Sequence, residues 1–261
     1  MRRIIIIGTA LAVLVGAASA FAATTLNVYK ATHPVSPNKA GSTKSPVPVS
    51  VTDNYVANNA TPGERTDALT NITYKIYGLV SNGKYFPTCS LSKIGNAKSD
   101  AGCPKGALVA SGSVTALIGP ASKPTATALP CSLILHAWNA GQGKVVEFFR
   151  TDATHVCAAG SIVTGKVGPY PATSSNQGKN YVLNTPLPNY VSFPLKGVEG
   201  SLTSVHLVWA KKTTKVHGKT VAYLASVACL KGKRPYSTSF TAEAGSVKQT
   251  SILESTTTCS K

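Results

Sequence analysis

Two cysteines, Cys89 and Cys103, lie in the stretch PTCSLSKIGNAKSDAGCPKGALVASGSVTA, where a thiol pair could perform redox or metal chemistry. Redox dithiols have only two residues between their cysteines, and no histidine lies in this stretch to complete a metal site. The stretch also lacks the Gly-Lys-Ser/Thr ending of a phosphate loop. We therefore predict a disulfide between Cys89 and Cys103, with Pro104 and Gly106 turning the chain into a core strand.

The cysteine count extends this prediction to the rest of the chain. An even number of cysteines in an exported chain favours disulfides over metal binding, and six cysteines allow fifteen pairings. Because near neighbours close most readily, we favour the pairs Cys89–Cys103, Cys131–Cys157 and Cys229–Cys259. A zinc site built from Cys131, His136, His155 and Cys157 is the alternative, although these spacings are not the usual ones for zinc.

A pair of carboxylates, Glu147 and Asp152, is the closest the acidic residues come to a glycosidase pattern. Glu147 lies in the apolar run VVEFF, and we expect it to face solvent on a strand and to pair with a lysine. Asp152 is expected to begin a turn. The pair therefore predicts no catalytic site.

Five histidines are scattered among many serines and threonines, so a Ser-His-Asp arrangement is open to the chain. The sequence has neither a G-x-S-x-G elbow nor an H-E-x-x-H zinc motif. We predict no catalytic residue, metal or cofactor. An extracellular hydrolase with scattered catalytic residues remains the alternative function.

The strongest binding candidate is the irregular stretch from 165 to 197, which is rich in Pro, Asn and Gly. Tyrosines on loops offer rigid, amphipathic contact area, and neighbouring lysines could bind anionic sugars or polyphosphates. In the alternative, these tyrosines only cover one end of the fold. The candidate binding residues are Tyr170, Tyr181, Tyr190, Lys166, Lys179 and Lys196.

Short β-prone runs must position these residues, because no segment carries a sustained helical stripe. SLILHAWNAGQGKVVEFF predicts one hairpin, and SVHLVWAKKTTKVHGKTVAYLASVAC predicts another. Only CSLSKIGNA is expected to form a turn or two of helix. Many short strands separated by turns indicate a sandwich or a barrel. We favour an antiparallel, disulfide-stapled β-sandwich, Ig-like or jelly-roll-like, because Pro46 and Pro48 suggest an open edge.

The N-terminal residues predict export. Positive Arg2 and Arg3 precede an apolar run that ends in small residues, which is typical of a secretory signal peptide over residues 1–22. Cleavage after Ala20 and an uncleaved membrane anchor are the alternatives. We expect an irregular segment with edge strands over 23–64 and a β-sandwich domain over 65–261, or two β units split near 165–185. No transmembrane anchor is expected after cleavage.

The charge is strongly basic, with 26 basic and 9 acidic residues and a formal net charge of +17. Arg65, Arg150 and Arg234 are the only arginines after the signal segment, and nucleic-acid binders usually rely on arginine. Diffuse lysine charge instead indicates attraction to polyanions. We predict a secreted or cell-envelope protein that binds anionic wall polymers or glycans and no nucleic acid. A surface that is only solubilising is the alternative.

Two segments, FPTCSLSKIGNAKSDAGCPKGALVASGSVTA and CLKGKRPYSTSFTAEAG, resemble parts of uncharacterised exported β-sandwich proteins of high-GC Gram-positive soil bacteria. In those proteins a cysteine pair similarly leads into C-P-x-G and a strand. The resemblance covers about a third of the chain and implies a secreted, β-rich fold. It implies no activity.

Overall fold

The computed structural model of this chain describes residues 25–122, 125–159 and 168–260. The expected signal segment over residues 1–22 lies outside these ranges. Antiparallel strands dominate the described chain, as the β-prone runs predict. The strands are β1 (Asn27–Thr32), β2 (Val35–Ser36), β3 (Val47–Pro48), β4 (Ser50–Asn59), β5 (Ala68–Tyr77), β6 (Leu79–Ser81), β7 (Leu108–Pro120), β8 (Leu129–Asn139), β9 (Lys144–Arg150), β10 (Tyr170–Gln177), β11 (Asn180–Pro186), β12 (Val198–Trp209), β13 (Thr213–Val216), β14 (Lys219–Ala222), β15 (Leu224–Ser226), β16 (Lys233–Ala244) and β17 (Val247–Thr258).

The helices in the described ranges are few and short. The α-helices are α1 (Leu91–Ala97) and α2 (Asn189–Ser192), and three 3₁₀ turns cover Gly83–Tyr85, Lys105–Ala107 and Thr125–Thr127. Helix α1 confirms the expected turns in CSLSKIGNA, and the Ser90 side chain accepts a hydrogen bond from Lys93 N at its start. None of the helices in the described ranges has the length and apolar character needed to cross a bilayer.

One large sheet follows the order β1-β4-β12-β7-β8-β9-β10-β11-β5-β16-β17, with β2 added on β4. Its two ends approach each other: Leu26, which precedes β1, donates a 2.5 Å hydrogen bond from its backbone N to Oε1 of Gln249 in β17. The sheet is therefore a nearly closed barrel rather than a clear sandwich. The sandwich prediction missed this because closure depends on pairings between distant strands, such as β5 with β16, that local alternation does not reveal.

The N-terminal part of the chain belongs to this sheet. Strand β4 lies between β1 and β12, and it sends Val51, Tyr55 and Ala57 into the core. Only Val47–Pro48 behaves as the prolines predict, since β3 is an edge strand of the small sheet β3-β15-β6. The described part of the expected irregular segment, residues 25–64, thus contains edge strands, as predicted, but also supplies the internal strand β4.

The stretch from 170 to 186 is also regular. It forms the β10–β11 hairpin, which turns at Gly178 with φ of 62° and lies between β9 and β5. The sheet is therefore continuous across residues 170–185, the strand-forming part of the region proposed as a possible split at 165–185. Its polar residues, including Thr173 and Asn184, alternate with buried ones and so resemble loop composition in the sequence.

Two hairpins were predicted, and only the first, over SLILHAWNAGQGKVVEFF, forms between the expected strands. Strands β8 and β9 pair directly, as predicted. Strand β12 instead pairs with β4 and β7, and the local hairpin is the short β13–β14 unit that turns at His217 and Gly218.

A second, smaller core covers the outside of the barrel at β8 and β9. Ile94 of α1 packs there against Trp138, Val146 and Phe148, and the Cys89–Cys103 disulfide closes the loop that carries α1. Strand β9 is consequently buried on both faces. This explains why VVEFF shows no polar alternation although one face of β9 lines the barrel interior.

Candidate functional site

The three predicted disulfides are present and confirm the nearest-neighbour pairing. Their Cα atoms lie 5.5, 3.8 and 5.9 Å apart, and the described chain has no free cysteine. The Cys131–Cys157 bond joins the sulfurs that the zinc alternative requires as separate thiolates. No cluster of three or more His, Cys, Asp or Glu side chains in the described ranges could bind a metal ion. The pairs are Cys89–Cys103, Cys131–Cys157 and Cys229–Cys259.

The tyrosines expected on a binding loop are partly core residues. Tyr170 and Tyr181 are 1% and 0% exposed and point into the barrel from β10 and β11. The prediction that they form a surface is wrong, because the hairpin places alternate side chains inside. Tyr190 is half-buried on α2, where its hydroxyl donates to the carbonyls of Gly168 and Pro169.

The predicted lysines do not gather around these tyrosines. Lys179 is exposed in the turn before β11, whereas Tyr190 follows the far end of the same strand. Lys196 is exposed in the turn before β12, and Lys166 lies outside the described residues. The five candidate residues that the structure describes therefore form no single site.

A buried chain of polar groups crosses one side of the barrel interior. His33 Nδ1 lies 2.6 Å from Asp53 Oδ1, and His33 Nε2 lies 2.8 Å from the Thr238 hydroxyl. Trp209 Nε1 donates to Asp53 Oδ2 over 2.7 Å. Each carboxylate oxygen of Asp53 is thereby satisfied, as burial of such a group requires.

This polar network has the hydroxyl, imidazole and carboxylate groups in the order of a catalytic triad, but a substrate cannot reach it from solvent. Thr238, His33 and Asp53 are 0%, 0% and 1% exposed. The ring of Tyr236 packs 5.0 Å from that of His33. A substrate carbonyl cannot reach the Thr238 hydroxyl in this arrangement, so the network serves to hold β4, β12 and β16 together.

Beside this network lies a cavity of about 40 Å³, which we call the central chamber. Its wall is apolar except for a few side chains. Those polar side chains are Asp53, Tyr55, Tyr74, Glu147, Tyr170 and Thr185.

Glu147 lies in the central chamber, which corrects the expectation that it faces solvent. It is 4% exposed and has no basic partner among the described residues. The Thr185 hydroxyl donates to Glu147 Oε1 over 3.2 Å, and Tyr170 also hydrogen-bonds to the carboxyl group. Burial raises the pKa of Glu147 to about 7, an effect that these two hydrogen bonds oppose. The burial of β9 on both faces hid this inward position from sequence reasoning.

An open depression of about 510 Å³, which we call the outer groove, lies on the outside of the barrel over β5, β11, β16 and β17. Strand pairing places its side chains in rows. Lys75 lies beside Ser237, which lies beside Glu254, and the neighbouring row contains Asn180 next to Tyr77. The groove therefore combines two tyrosines, Tyr77 and the largely buried Tyr236, with one cation, one carboxylate and several hydroxyl or amide groups in a concave, accessible surface.

Two other histidines have acidic neighbours outside the barrel interior. His136 Nδ1 lies 2.5 Å from Asp100 Oδ2, and Arg150 lies 3.8 Å from the same carboxylate. Asp152 begins a turn, as predicted, by accepting hydrogen bonds from His155 and Thr154, which hold the pKa of Asp152 well below its usual range. Neither pair has a candidate nucleophile in a cavity beside it.

Two of the three arginines of the described chain, Arg65 and Arg234, are buried within the fold, whereas Arg150 is exposed. Arg65 is buried, reaches the Ser201 hydroxyl and the Gly119 carbonyl, and lies 3.5 Å from Glu199. Arg234 is buried beside the Cys229–Cys259 disulfide, where burial lowers its pKa to about 10. The accessible positive charge is therefore carried chiefly by lysines.

Comparisons with protein families, with characterised proteins and with solved structures gave no match. The functional assignment therefore depends on the geometry of the chain itself.

Proposed function

We propose that this is an exported, non-catalytic protein that binds an anionic, hydroxyl-rich polymer of the cell envelope in the outer groove. The observation that carries the proposal is the open groove of about 510 Å³, lined by Lys75, Tyr77, Asn180, Ser237 and Glu254. It is an accessible concavity in which an aromatic side chain and several polar groups converge.

The groove suits the chemistry of an acidic polysaccharide. Tyr77 offers a flat apolar face with a polar tip, on which a sugar ring can pack. Asn180 and Ser237 can exchange hydrogen bonds with sugar hydroxyls, and Glu254 can accept from them. Lys75 supplies a cation for a carboxylate or phosphate substituent of the polymer.

The barrel supplies a rigid support for these groups. Lys75 and Ser237 are cross-strand neighbours in the continuous β5–β16 pairing, and their strands continue into a packed core. Sites on strands are more precisely positioned than sites on loops. The lysine excess of the chain adds long-range attraction to polyanions, which salt must weaken.

The hydrolase alternative has weaker support. Its best geometric candidate is the Thr238–His33–Asp53 chain, and all three side chains are buried in the barrel. The outer groove has Glu254 as its one acidic side chain among the lining residues, whereas glycoside hydrolysis uses a pair of carboxylates.

Retention of the exported protein on an insoluble acidic polysaccharide and on isolated cell walls tests the proposal. We expect retention in 50 mM salt and release in 1 M salt. The double variant Lys75→Gln, Tyr77→Ala should lose about tenfold or more in affinity, since groups at the centre of a binding site typically contribute more than about 1 kcal/mol each.

Lys93→Gln is the matched control, because it removes one lysine charge from α1, which covers β8 and β9 rather than the groove. It should bind as the unmodified protein does. Equal retention of the double variant and the Lys93→Gln control would contradict the groove assignment, and undiminished retention in 1 M salt would contradict the electrostatic contribution.

A further inference from the structure

The central chamber carries a second inference that is independent of the outer groove. Glu147 is a buried carboxyl group whose hydrogen-bond partners, Thr185 and Tyr170, are both neutral. The other carboxylate in the chamber wall, Asp53, is already satisfied by His33 and Trp209. A carboxylate at Glu147 therefore has no positive partner among the described residues.

Two further groups in the chamber wall point to a missing ligand. The buried hydroxyls of Tyr74 and Tyr181 interact with each other, whereas the buried hydroxyl of Tyr55 has no hydrogen-bond partner among the described residues. Tyr55 and Tyr74 line the chamber together with Glu147. Buried polar groups normally have partners, so the unpartnered Tyr55 hydroxyl beside an uncompensated carboxyl group indicates that a further group binds there, and the Tyr74 oxygen can still accept a hydrogen bond from it.

We infer that the central chamber binds a small primary ammonium ion, with its N–H groups donated to the Glu147 carboxylate and to the hydroxyl oxygens of Tyr55 and Tyr74. Such an ion has three donors for these three acceptors. The aromatic side chains of Tyr55, Tyr74, Tyr170 and Phe149 line the same space, and aromatic rings attract cations at their faces.

The size of the chamber sets the class of ligand. A cavity needs roughly 10–15 Å³ to hold one water molecule, so the chamber of about 40 Å³ has room for a group about three times that size. Methylammonium fits this limit, whereas tetramethylammonium does not and also lacks N–H donors. An apolar cavity of about 50 Å³ shares Val114, Phe149, Leu187 and Leu202 with the chamber wall and lies next to it.

Binding must strengthen as Glu147 becomes ionised. Burial favours the neutral form of Glu147, and Asp53 is the charged neighbour that opposes its ionisation. The remaining titratable groups around it are His33, which is bonded to Asp53 and Thr238, and Tyr55, Tyr74, Tyr170 and Tyr181, whose pKa values burial raises well above the usual range. The tyrosines stay neutral at pH 8.5, and the Glu147→Gln variant assigns the response between pH 5.5 and pH 8.5 to Glu147 itself.

The test is thermal unfolding after long incubation in methylammonium chloride at pH 8.5. Sodium chloride and tetramethylammonium chloride at the same ionic strength are the comparisons. At ten times the dissociation constant, methylammonium should raise Tm by about 3–6 °C over both comparison salts, and the effect should shrink at pH 5.5.

Two variants make the result specific. Glu147→Gln should abolish the difference between methylammonium and sodium, whereas Glu243→Gln, which removes a surface carboxylate paired with Lys248, should retain it. Saturation with ¹⁵N-ammonium provides a second measurement, in which a bound ion gives a slowly exchanging N–H signal that Glu147→Gln loses. Equal Tm values in all three salts, or an unchanged effect in Glu147→Gln, would mean that the chamber holds water only and would overturn the inference.

Discussion

Glu147 should make the folded protein less stable as the pH rises, which is opposite to the effect of most carboxylates. Replacing it with glutamine should remove this pH dependence. Burial raises the pKa of Glu147 from 4.5 to about 7 in the folded protein. In the unfolded chain the group ionises near its ordinary pKa, so the folded state binds the extra proton between these values. The free energy of unfolding must therefore fall as pH rises through this window.

The size of the effect follows from the shift. One pKa unit corresponds to about 1.36 kcal/mol. The contribution of Glu147 to the free energy of unfolding is fully present below pH 4.5. It decreases by about 3 kcal/mol by pH 7 and then levels off. Glutamine keeps the shape and cannot titrate, so Glu147→Gln should lack this decrease.

Urea unfolding of the unmodified protein and of Glu147→Gln, measured from pH 4.5 to pH 8.5, gives the required difference in free energy. The difference between unmodified protein and variant should fall by about 3 kcal/mol up to pH 7. The control Glu243→Gln should follow the pH profile of the unmodified protein. A difference that stays constant or rises with pH would refute the placement of Glu147 in the barrel interior.

Three further substitutions test other parts of the structure, and urea unfolding measures each of them. Gly112→Ala should lower the free energy of unfolding by about 3 kcal/mol, because a β-carbon there would lie 1.8 Å from the His206 carbonyl oxygen. The control Gly95→Ala in α1 should be neutral or stabilising by up to about 1 kcal/mol, and equal effects of the two substitutions would contradict the close β7–β12 approach. Asp53→Ala should destabilise by about 3–5 kcal/mol, since it leaves His33 and Trp209 without their buried partner, and a loss below about 1 kcal/mol would disagree with that network. Replacing both cysteines of the Cys89–Cys103 disulfide with serine should cost about 3 kcal/mol for a loop of this length, and an unchanged midpoint would show that the bond does not hold the α1 loop in place.

Local features of the chain could be predicted from the sequence where the cause of a structure is itself local. The β8–β9 hairpin follows from two apolar runs around NAGQGK, and the disulfides join cysteines that are nearest neighbours in sequence. The short helix α1 begins at Ser90, whose side chain caps it.

Features that depend on distant pairing could not be predicted in this way. The closure of the barrel requires β16 to meet β5 and β12 to meet β4, and neither pairing leaves a local pattern. The β10–β11 hairpin was hidden because its outward residues are Ser, Thr, Asn and Pro, which are equally typical of loops.

The candidate sites follow the same division. The outer groove draws Lys75, Asn180, Ser237 and Glu254 from four strands, so it exists only once the sheet has formed. Glu147 was expected on the surface because a carboxylate among apolar residues usually faces water, and its inward position depends on the α1 loop covering the other face of β9. The buried contacts of Arg65, Arg234 and His33 could not be predicted either, because their partners lie on strands that are distant in sequence or are hidden by burial.

The measurement that tests the proposed function most directly is NMR titration of the ¹⁵N-labelled protein with a soluble acidic oligosaccharide at low salt. The account predicts that amide shifts concentrate on the outward residues of β5, β16 and β17, including Lys75, Ser237 and Glu254, and that they disappear in 1 M salt. Shifts confined to another face of the barrel, or no shifts at saturating oligosaccharide, would contradict it.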